Sequence, residues 1–433
     1  MKYKKYLKFK DSGVEWLGEV PEHWDIVRNK AVFQFIKSLV GEDSKKYKLL
    51  SLTLKGIILR DIESGKGKFP AEFNTYQKVK KNDLIFCLFD IDETPRTIGI
   101  SKHDGMITGA YDVARCNDKV SDSKFMYYYY LSVDEYKGLK PFYTGLRKVV
   151  RAETFMNIQL GLPPFTEQQQ IATFLDNATQ KMDTLIQKQE NLIKLLKEKR
   201  QAVISHAVTR GLNPDVKFKD SGVEWLGDVP EHWSTPELIY ITKNIGDGLH
   251  STPEYSDNTG YYFINGNNIN EGKISINKKT KEVSEKEFHN HYIHLNGSSV
   301  FLSINGTIGN VALYNNENVI LGKSAAFMNC TNKIIPSYLM HYLLSSQSKN
   351  YFDLEVTGTT IYNLSLNSIR KMKICVPPLD EQEEIIKYCF ETKNKLDTLI
   401  KKSKKSIKLL KEKRTALISS AVIGKIDVRE LVS

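Results

Sequence analysis

The chain has 433 residues, 41% of them hydrophobic and 26% charged, and this balance excludes an intrinsically disordered protein. Lysine and arginine outnumber aspartate and glutamate by 62 to 51, and the net charge of +11 favours a polyanionic partner such as nucleic acid. No stretch reaches the ~18–20 apolar residues that span a bilayer, no apolar signal segment follows the basic N-terminus, and the five cysteines form no Cys-x-x-Cys pair. We therefore expect a cytoplasmic protein of two or more domains, without a membrane partner, a disulfide framework or a zinc site.

Early in the chain stands a phrase that returns almost unchanged. FKDSGVEWLGEVPEHW at 9–24 is repeated as FKDSGVEWLGDVPEHW at 218–233, with Glu19 replaced by Asp228. We call these two stretches the joint segments. Further pairs follow at an offset of 214 residues: LPPFTEQQQI with VPPLDEQEEI, MDTLI with LDTLI, and KLLKEKR twice. The sequence therefore predicts two copies of one plan, each made of a joint segment, a variable stretch of ~130–140 residues and a long helix.

Each variable stretch contains a strand, a turn and a strand around a Thr-Ile-Gly triplet. The patterns lie at 84–101 and 299–314, where β-branched and aromatic residues flank Gly and Pro. Leu/Tyr-rich helices are predicted at 124–132 and 336–346. The run Tyr127–Tyr130 favours packing of a helix on a sheet, with base stacking as the alternative.

A long helix is predicted to close each copy. Residues 166–207 contain neither Gly nor Pro, Pro163 and Pro164 precede them, and Gly211 follows. Heptad stepping from Ile171 meets an apolar residue at eight of ten positions, and stepping from Ile385 at six of ten. The pattern predicts that the two helices pack antiparallel and relate the copies by a pseudo-twofold axis.

These residues together resemble the DNA-sequence specificity subunit of type I restriction–modification systems, over nearly the whole chain. The resemblance rests on the joint segments, the doubled Pro-Pro-x-x-Glu-Gln helix starts, RDIESGKGKFPAEFNTYQKVKKNDLIF and TPRTIGISKHDGMIT in the first stretch, and GDGLHSTPEY and NGTIGNVALY in the second. It implies an α+β fold, in which two mixed α/β target-recognition domains are separated by two long antiparallel coiled-coil helices with a pseudo-twofold internal repeat. The expected segments are a first target-recognition domain at 1–161, a first helix at 162–211, a second domain at 212–375 and a second helix with its tail at 376–433.

The resemblance also implies a role without catalysis. Such a subunit reads a bipartite DNA site and positions two adenine-N6 methyltransferase subunits and two restriction subunits. No cofactor is expected in this chain, since S-adenosylmethionine, ATP and Mg²⁺ would belong to those partners. The alternatives are a stand-alone methyltransferase or nuclease, and a coiled-coil scaffold without DNA specificity.

The chemistry of the residues agrees with a binding role. An adenine methyltransferase needs an Asp/Asn-Pro-Pro-aromatic tetrad to hold the flipped base, but Leu162 occupies the polar position in LPPF, and VPPL also lacks the aromatic residue. No Gly-x-Gly-x-x-Gly or Walker A loop occurs. The His-rich stretch HNHYIH at 289–294 could bind a metal, but we interpret it as a solvated strand end. No catalytic or metal-binding residue is therefore predicted.

Sequence readout needs polar and basic side chains on exposed loops. In the first domain the predicted DNA-binding residues are Arg60, Asp92, Thr94, Arg96, Lys102, Arg147, Lys148 and Arg151. In the second domain they are His250, Ser251, Asn305, Thr307, Lys323, Thr359, Thr360 and Tyr362. In the joint segments, the residues predicted to anchor the joint internally or to bind a partner are Trp16, Leu17, Trp24, Trp225, Leu226 and Trp233.

Overall fold

The computed structural model describes residues 3–61, 72–358 and 362–431. Its contacts divide the chain into two units, one formed by Met1–Gln189 with Lys405–Ser433 and the other by Glu190–Lys404. Each unit therefore contains one variable domain together with part of each long helix. This division differs from the four predicted segments because it cuts through both helices.

The first unit combines short strands with helices of very different lengths. Its strands are β1 (Phe9–Asp11), β2 (Glu19–Pro21), β3 (Asp25–Arg28), β4 (Phe33–Ile36), β5 (Leu50–Thr53), β6 (Gly56–Leu59), β7 (Gln77–Val79), β8 (Leu84–Phe86), β9 (Ile98–Ile100), β10 (Gly105–Ile107), β11 (Asp112–Cys116) and β12 (Gln159–Leu162). Its helices are α1 (Asn29–Val32), α2 (Ser123–Glu135), α3 (Ala152–Asn157), the first part of α4 (Phe165–Arg210) and the last part of α9 (Leu379–Val422).

A four-stranded antiparallel sheet organises this unit, in the order β4-β11-β8-β9. β8 is buried throughout, and Phe86 lies opposite Ile98 in β9. The strand, turn and strand predicted at 84–101 are thus confirmed. The loop at 87–97 joins the two strands at one end of the sheet.

Aromatic side chains fill the core between this sheet and α2. Tyr128, Tyr129 and Tyr130 are buried there, so the packing role predicted for the tyrosine run is confirmed. The helix begins at a strong cap, because the Asp122 carboxylate accepts hydrogen bonds from the amides of Lys124 and Phe125. The same core includes apolar residues from α4, so the variable domain and the helix share one interior.

The second unit repeats the architecture with other residues. Its strands are β13 (Phe218–Asp220), β14 (Asp228–Pro230), β15 (Thr242–Asp247), β16 (Tyr262–Ile264), β17 (Ile269–Asn270), β18 (Lys273–Ile274), β19 (Lys281–Glu282), β20 (Ser299–Ser303), β21 (Val311–Leu313), β22 (Val319–Leu321) and β23 (Ala325–Cys330). Its helices are the last part of α4, α5 (Glu285–Asn290), α6 (Pro336–Leu343), α7 (Ser346–Glu355), α8 (Leu366–Lys371) and the first part of α9 (Leu379–Val422).

Its main sheet has the order β15-β23-β20-β21, again antiparallel. β20 and β23 are buried at every position, as expected for the two central strands. On this sheet lies α6, whose Tyr338 hydroxyl donates to the carbonyls of Val208 and Cys375. The helix α6, the end of α4 and the segment that precedes α9 are therefore linked by buried hydrogen bonds.

The His-rich stretch does not form the strand end predicted for it. Residues 285–290 form α5, since the Ser284 hydroxyl caps the helix by accepting from the Glu287 amide. His289 lies in the last turn of that helix, 3.7 Å from Glu285. The Ser284 cap and the helix-compatible residues 285–288 outweigh the strand-like spacing of the histidines. Within 3–61, 72–358 and 362–431, no cluster of His, Cys, Asp or Glu side chains is placed to hold a metal ion.

The long helices begin and end close to the predicted residues, but the heptad prediction is only partly right. Ile171, Leu175 and Leu196 are buried, whereas Leu185 and Leu192 are 48% and 42% exposed. One of the two heptad series, with Leu175, Met182 and Leu196, thus stays buried along the helix, whereas the other becomes exposed at Leu185 and Leu192.

Candidate nucleic-acid interface

Each joint segment is anchored to a long helix by a glutamate in the first helical turn. The Trp24 indole donates to Glu167 Oε1 at 3.0 Å, and His23 Nε2 lies 2.7 Å from Glu167 Oε2. In the second unit, the Trp233 indole donates to Glu381 at 3.0 Å, and His232 Nε2 lies 2.9 Å from the same oxygen. The repeated Pro-Glu-His-Trp sequence thus serves to bind the Glu of the repeated Pro-Pro-x-x-Glu-Gln sequence.

The neighbouring glutamine anchors the variable domain in the same way. In the first unit the Gln168 side chain donates to the carbonyls of Pro163 and Val120 and accepts from the Asp122 amide. In the second unit Gln382 makes the equivalent bonds to Pro377, Lys333 and Ile335. Glu and Gln therefore hold the joint segment and the domain, respectively, on the helix start. This structural role explains the Pro-Pro sequences that superficially resemble a methyltransferase tetrad.

The tryptophans of the joint segments divide into two classes. Trp24 and Trp233 are buried, which is consistent with internal anchoring of the joint segments. Trp16 is 37% exposed and packs edge-on against Phe142, and Trp225 is partly exposed against Tyr351. Leu226 is buried, and Leu17 is half-buried. The outer tryptophans are thus the members of this set that a partner could reach.

A second duplicated contact joins the two helices within each unit. In the first unit Arg414 Nε lies 3.2 Å from Asp183, and in the second unit Arg200 pairs with Asp397. The aspartate comes from the repeated Asp-Thr-Leu-Ile sequence and the arginine from the repeated KLLKEKR. Each pair joins an earlier position on one helix to a later position on the other. Antiparallel packing of the helix segments is therefore present in both units.

In the first domain, the structure brings three predicted DNA-binding residues together: Asp92, Arg147 and Lys148. The Asp90 amide donates to the Arg147 carbonyl at 2.8 Å, which holds loop 87–97 against the segment 140–151. Lys148 Nζ lies 3.1 Å from Asp92, and Arg147 is largely exposed beside Asp90. These residues form one polar surface at the end of the sheet.

Arg96 and Thr94 lie in the same loop but are less accessible than predicted. Arg96 is mostly buried, with Nε 4.0 Å from the buried Asp134 carboxylate. Asp134 also accepts from the Thr97 amide and hydroxyl, at 3.1 Å and 2.8 Å. Thr94 is half-buried, and its carbonyl accepts from Lys137 Nζ. The loop is positioned by the hydrogen bonds of Thr97 and Lys137, and Arg96 lies mostly buried beside Asp134, a placement that sequence analysis did not predict.

The remaining candidates of the first domain lie elsewhere or at the margin. Lys102 follows β9 at the end opposite to loop 87–97, and the Arg60 amide donates to the Leu49 carbonyl at the end of β6. Arg151 is exposed immediately before α3. The structure therefore does not bring Lys102 into the surface formed by Asp92 and Lys148.

In the second domain, four loops meet at one rim of the main sheet. The Lys323 amide donates to the Leu249 carbonyl, the Ile304 amide to the Ser324 carbonyl, and the Gly306 amide to the Tyr362 carbonyl. These bonds bring together the predicted residues His250, Ser251, Asn305, Thr307, Lys323 and Tyr362. Thr359 and Thr360 lie outside the described residues.

Two polar residues of this rim were missed by sequence reasoning. The Ser324 hydroxyl donates to Asn265 Oδ1 at 3.0 Å and accepts from the Gly266 amide at 2.9 Å. Nearby, His250 Nε2 lies 2.9 Å from Asp247. The Asn-Gly-Asn-Asn turn directly after β16 was a usable signal, because such residues place polar side chains at the end of a strand.

A comparison with known proteins connects this geometry to a family. A family model described as the type I restriction modification DNA specificity domain matches residues 21–195 and 237–409. The type I restriction enzyme MjaVIII specificity subunit of Methanocaldococcus jannaschii is 23% identical over 428 residues, which cover 95% of each chain. The type I restriction enzyme EcoKI specificity subunit of Escherichia coli is 22% identical over 290 residues, 65% of this chain and 60% of that protein.

Solved structures share the fold. One chain, from a study of complex assembly and conformational transition in the type I R-M system, has a TM-score of 0.67 at 15% identity and covers 93% of this chain and 98% of that chain. The HsdS subunit of Thermoanaerobacter tengcongensis has a TM-score of 0.53 at 15% identity, covering 94% and 98%. In the described part of the chain, no helix is long and apolar enough to cross a membrane.

The family model covers most of the chain in two copies, one in each half. Neither a scaffold without DNA specificity nor a stand-alone methyltransferase is supported by these similarities. This chain therefore belongs to the type I restriction–modification DNA specificity family, as a non-catalytic DNA-recognition subunit.

Proposed function

We propose that this subunit reads a bipartite DNA site, with one half-site bound by each target-recognition domain. The observation that carries the proposal is a duplicated frame with unlike loops. Both units have the same sheet order and the same Glu–Trp–His anchor. Loop 87–97 contains Asp90, Asp92 and Glu93, whereas loop 304–310 has no charged residue. Equal frames with different polar surfaces suit the readout of two different short sequences.

The same proposal includes the partners of the subunit. It positions two adenine-N6 methyltransferase subunits and two restriction subunits in the cytoplasm, where the DNA lies. S-adenosylmethionine would bind the former, and ATP with Mg²⁺ the latter. The net charge of +11 supports contact with the DNA backbone. The repetition of one partly exposed loop, SGVEWLG, in two otherwise diverged domains supports docking of two copies of one partner.

A genome-wide map of N6-methyladenine tests the proposal directly. We expect deletion of the gene to remove methylation at one split motif, made of two short halves around a fixed unspecified gap. Single-molecule sequencing of the host with and without the gene measures this loss. An unchanged map, together with a chain that co-purifies with no methyltransferase subunit, would contradict the proposal. An unchanged map with co-purification would indicate an assembled but inactive system.

The outer tryptophans give a second prediction. We expect Trp16→Ala or Trp225→Ala each to release one methyltransferase subunit, and the double variant to release both. Truncation of a hot-spot residue, a class in which tryptophan is enriched, costs about 2 kcal/mol or more of binding free energy, or roughly thirtyfold in affinity. Native mass spectrometry of the co-expressed complex counts the bound subunits.

Tyr240→Ala is the matched control, because Tyr240 is an exposed aromatic residue outside the joint segments. This variant should retain both methyltransferase subunits. Circular dichroism should show that all variants are folded. If the folded double tryptophan variant still binds two partners at wild-type affinity, the docking surface lies elsewhere, for example along the exposed leucines of the long helices.

A further inference from the structure

The first domain contains an acidic loop paired with a strongly basic segment. From Lys137 to Arg151 there are five basic residues and no acidic residue, whereas loop 87–97 has three carboxylates. Lys148 Nζ lies 2.6 Å from Glu93 and 3.1 Å from Asp92. Asp92 also lies 3.3 Å from Lys140 Nζ. Asp92 and Glu93 thus form ion pairs with Lys140 and Lys148 on the surface that we assign to DNA.

The backbone builds this arrangement. The Asp90 amide donates to the Arg147 carbonyl, and the Val150 amide donates to the Leu88 carbonyl, both at 2.8 Å. Asp90 and Lys148 have φ values of 47° and 44°, in the left-handed region. Such a conformation is unfavourable for a lysine and persists where the surrounding structure holds it. The two chain segments are therefore positioned against each other independently of the ion pairs.

Stability accounts for only part of the charge pairing. The carboxylate of Glu93 and the ammonium of Lys140 are both more than half exposed, so their pairs contribute little to the free energy of unfolding, whereas Asp92 and Lys148 are 20% and 30% exposed. The pairing also favours the charged forms of Asp92, Glu93 and Lys148. Hydrogen bonding to Lys148 lowers the pKa of Asp92 and Glu93, and the two carboxylates raise that of Lys148. The consequence is a reduced positive potential at this surface.

A lower positive potential is useful to a protein that reads a DNA sequence, because unpaired lysines bind the phosphates of any DNA. Each phosphate neutralised by a basic side chain strengthens binding irrespective of sequence. Specificity is the difference between cognate and non-cognate affinity, and it increases when non-cognate contacts are opposed. In the second domain, residues 304–310, 356–358 and 362–365 contain no charged side chain, so the loop that corresponds to 87–97 has no equivalent carboxylates.

We propose that Asp92 and Glu93 are specificity-determining residues that oppose non-specific DNA binding by occupying Lys140 and Lys148. A matched half-site supplies base contacts that compensate for release of the lysines, whereas random DNA does not. The inference rests on the proposed DNA-reading role of this surface. It assigns the two carboxylates a function opposite to direct base contact.

The test compares the full-length chain with its Asp92→Asn variant on a duplex of random sequence. We expect about a threefold to tenfold gain in affinity at low salt and a slope of log K against log [salt] steeper by roughly 1, as for one added phosphate contact. Glu93→Gln should also increase the affinity for random DNA. Because the Glu93 side chain is exposed, this variant should fold like the wild type. Fluorescence anisotropy at several salt concentrations measures both quantities.

Asp118→Asn is the matched control, since it makes the same charge change at an exposed turn after β11, at the other end of the sheet. It should change the affinity less than twofold. In a Lys140→Gln/Lys148→Gln background, Asp92→Asn should no longer increase the affinity, as a mutant cycle requires. Equal effects of Asp92→Asn and Asp118→Asn would overturn the inference, as would a loss of binding to random DNA.

The same titration separates this inference from the proposed function. The wild-type chain should prefer a duplex that carries the mapped split motif over the random duplex. If it shows no preference, the proposed function fails. If it shows the preference and Asp92→Asn leaves the preference unchanged, only the role assigned to the carboxylates fails.

Discussion

Glu167→Ala is expected to destabilise the first unit by about 4 kcal/mol, and Glu381→Ala the second by only about 1–2 kcal/mol. Glu167 is buried and accepts from the buried Trp24 indole and from the Tyr6 hydroxyl, at 3.0 Å and 2.7 Å. Its removal leaves two buried donors without an acceptor, and each costs about 1–3 kcal/mol. Glu381 is more exposed and has no tyrosine partner in the described structure, so water can replace part of the loss.

Native-state hydrogen exchange measures this difference, because it reports the two units separately where a single melting curve would not. Amides in 3–28 and in the first turns of α4 should exchange faster in Glu167→Ala. The amides of 218–233 should remain protected in that variant. In Glu381→Ala the amides of 218–233 should exchange faster instead, with a smaller increase in rate. Equal amplitudes in the two variants would contradict the argument from burial. Glu167→Gln, which retains one acceptor oxygen, should fall between the wild type and Glu167→Ala.

The repeated sequences made the organisation of the fold predictable. Similar phrases in the same order, at offsets of 209 and 214 residues, indicated two copies, and Pro-Pro followed by more than forty residues without Gly or Pro indicated each long helix. The strand, turn and strand around Thr-Ile-Gly followed from residue type alone. These features depend on local propensity and spacing, which the sequence displays directly.

The partners of individual side chains were not predictable in this way. Trp16 and Trp24 belong to one short phrase, yet one is exposed and the other donates to a carboxylate about 140 residues away. Arginine is a residue type that often contacts DNA, but Arg96 lies beside Asp134 on α2. Such pairings depend on which elements meet in three dimensions, and a single sequence does not encode them as a visible pattern.

The candidate DNA surface shows the same limit. Loop composition correctly indicated polar residues near both Thr-Ile-Gly hairpins, and in the second domain His250, Asn305 and Lys323 do meet at one rim. In the first domain, Lys102 was predicted as a DNA-binding residue together with Arg96. A three-residue strand lies between the two, and it places them at opposite ends of the sheet. The direction of a strand thus decides which neighbours in sequence share a surface.

Lengthening both long helices should change the spacing of the DNA site without changing its halves. We expect four helix-forming residues, inserted after Gln189 and after Ser403, to widen the unread gap by nearly 2 base pairs. Each residue adds 1.5 Å to an α-helix, so four add about 6 Å, against ~3.4 Å per base pair. A map of N6-methyladenine in cells that express the variant measures the new gap.

The insertion points are chosen to preserve the contacts that hold each unit together. They lie between the two duplicated ion pairs, so Asp183 keeps Arg414 and Arg200 keeps Asp397. An insertion in one helix only is the control, and it should abolish methylation because helices of unequal length cannot keep both pairs in register. A changed half-site with an unchanged gap would refute the helices as the spacing element. A wider gap with unchanged halves would assign spacing to the helices and base recognition to the two domains, as the duplicated frame with unlike loops requires.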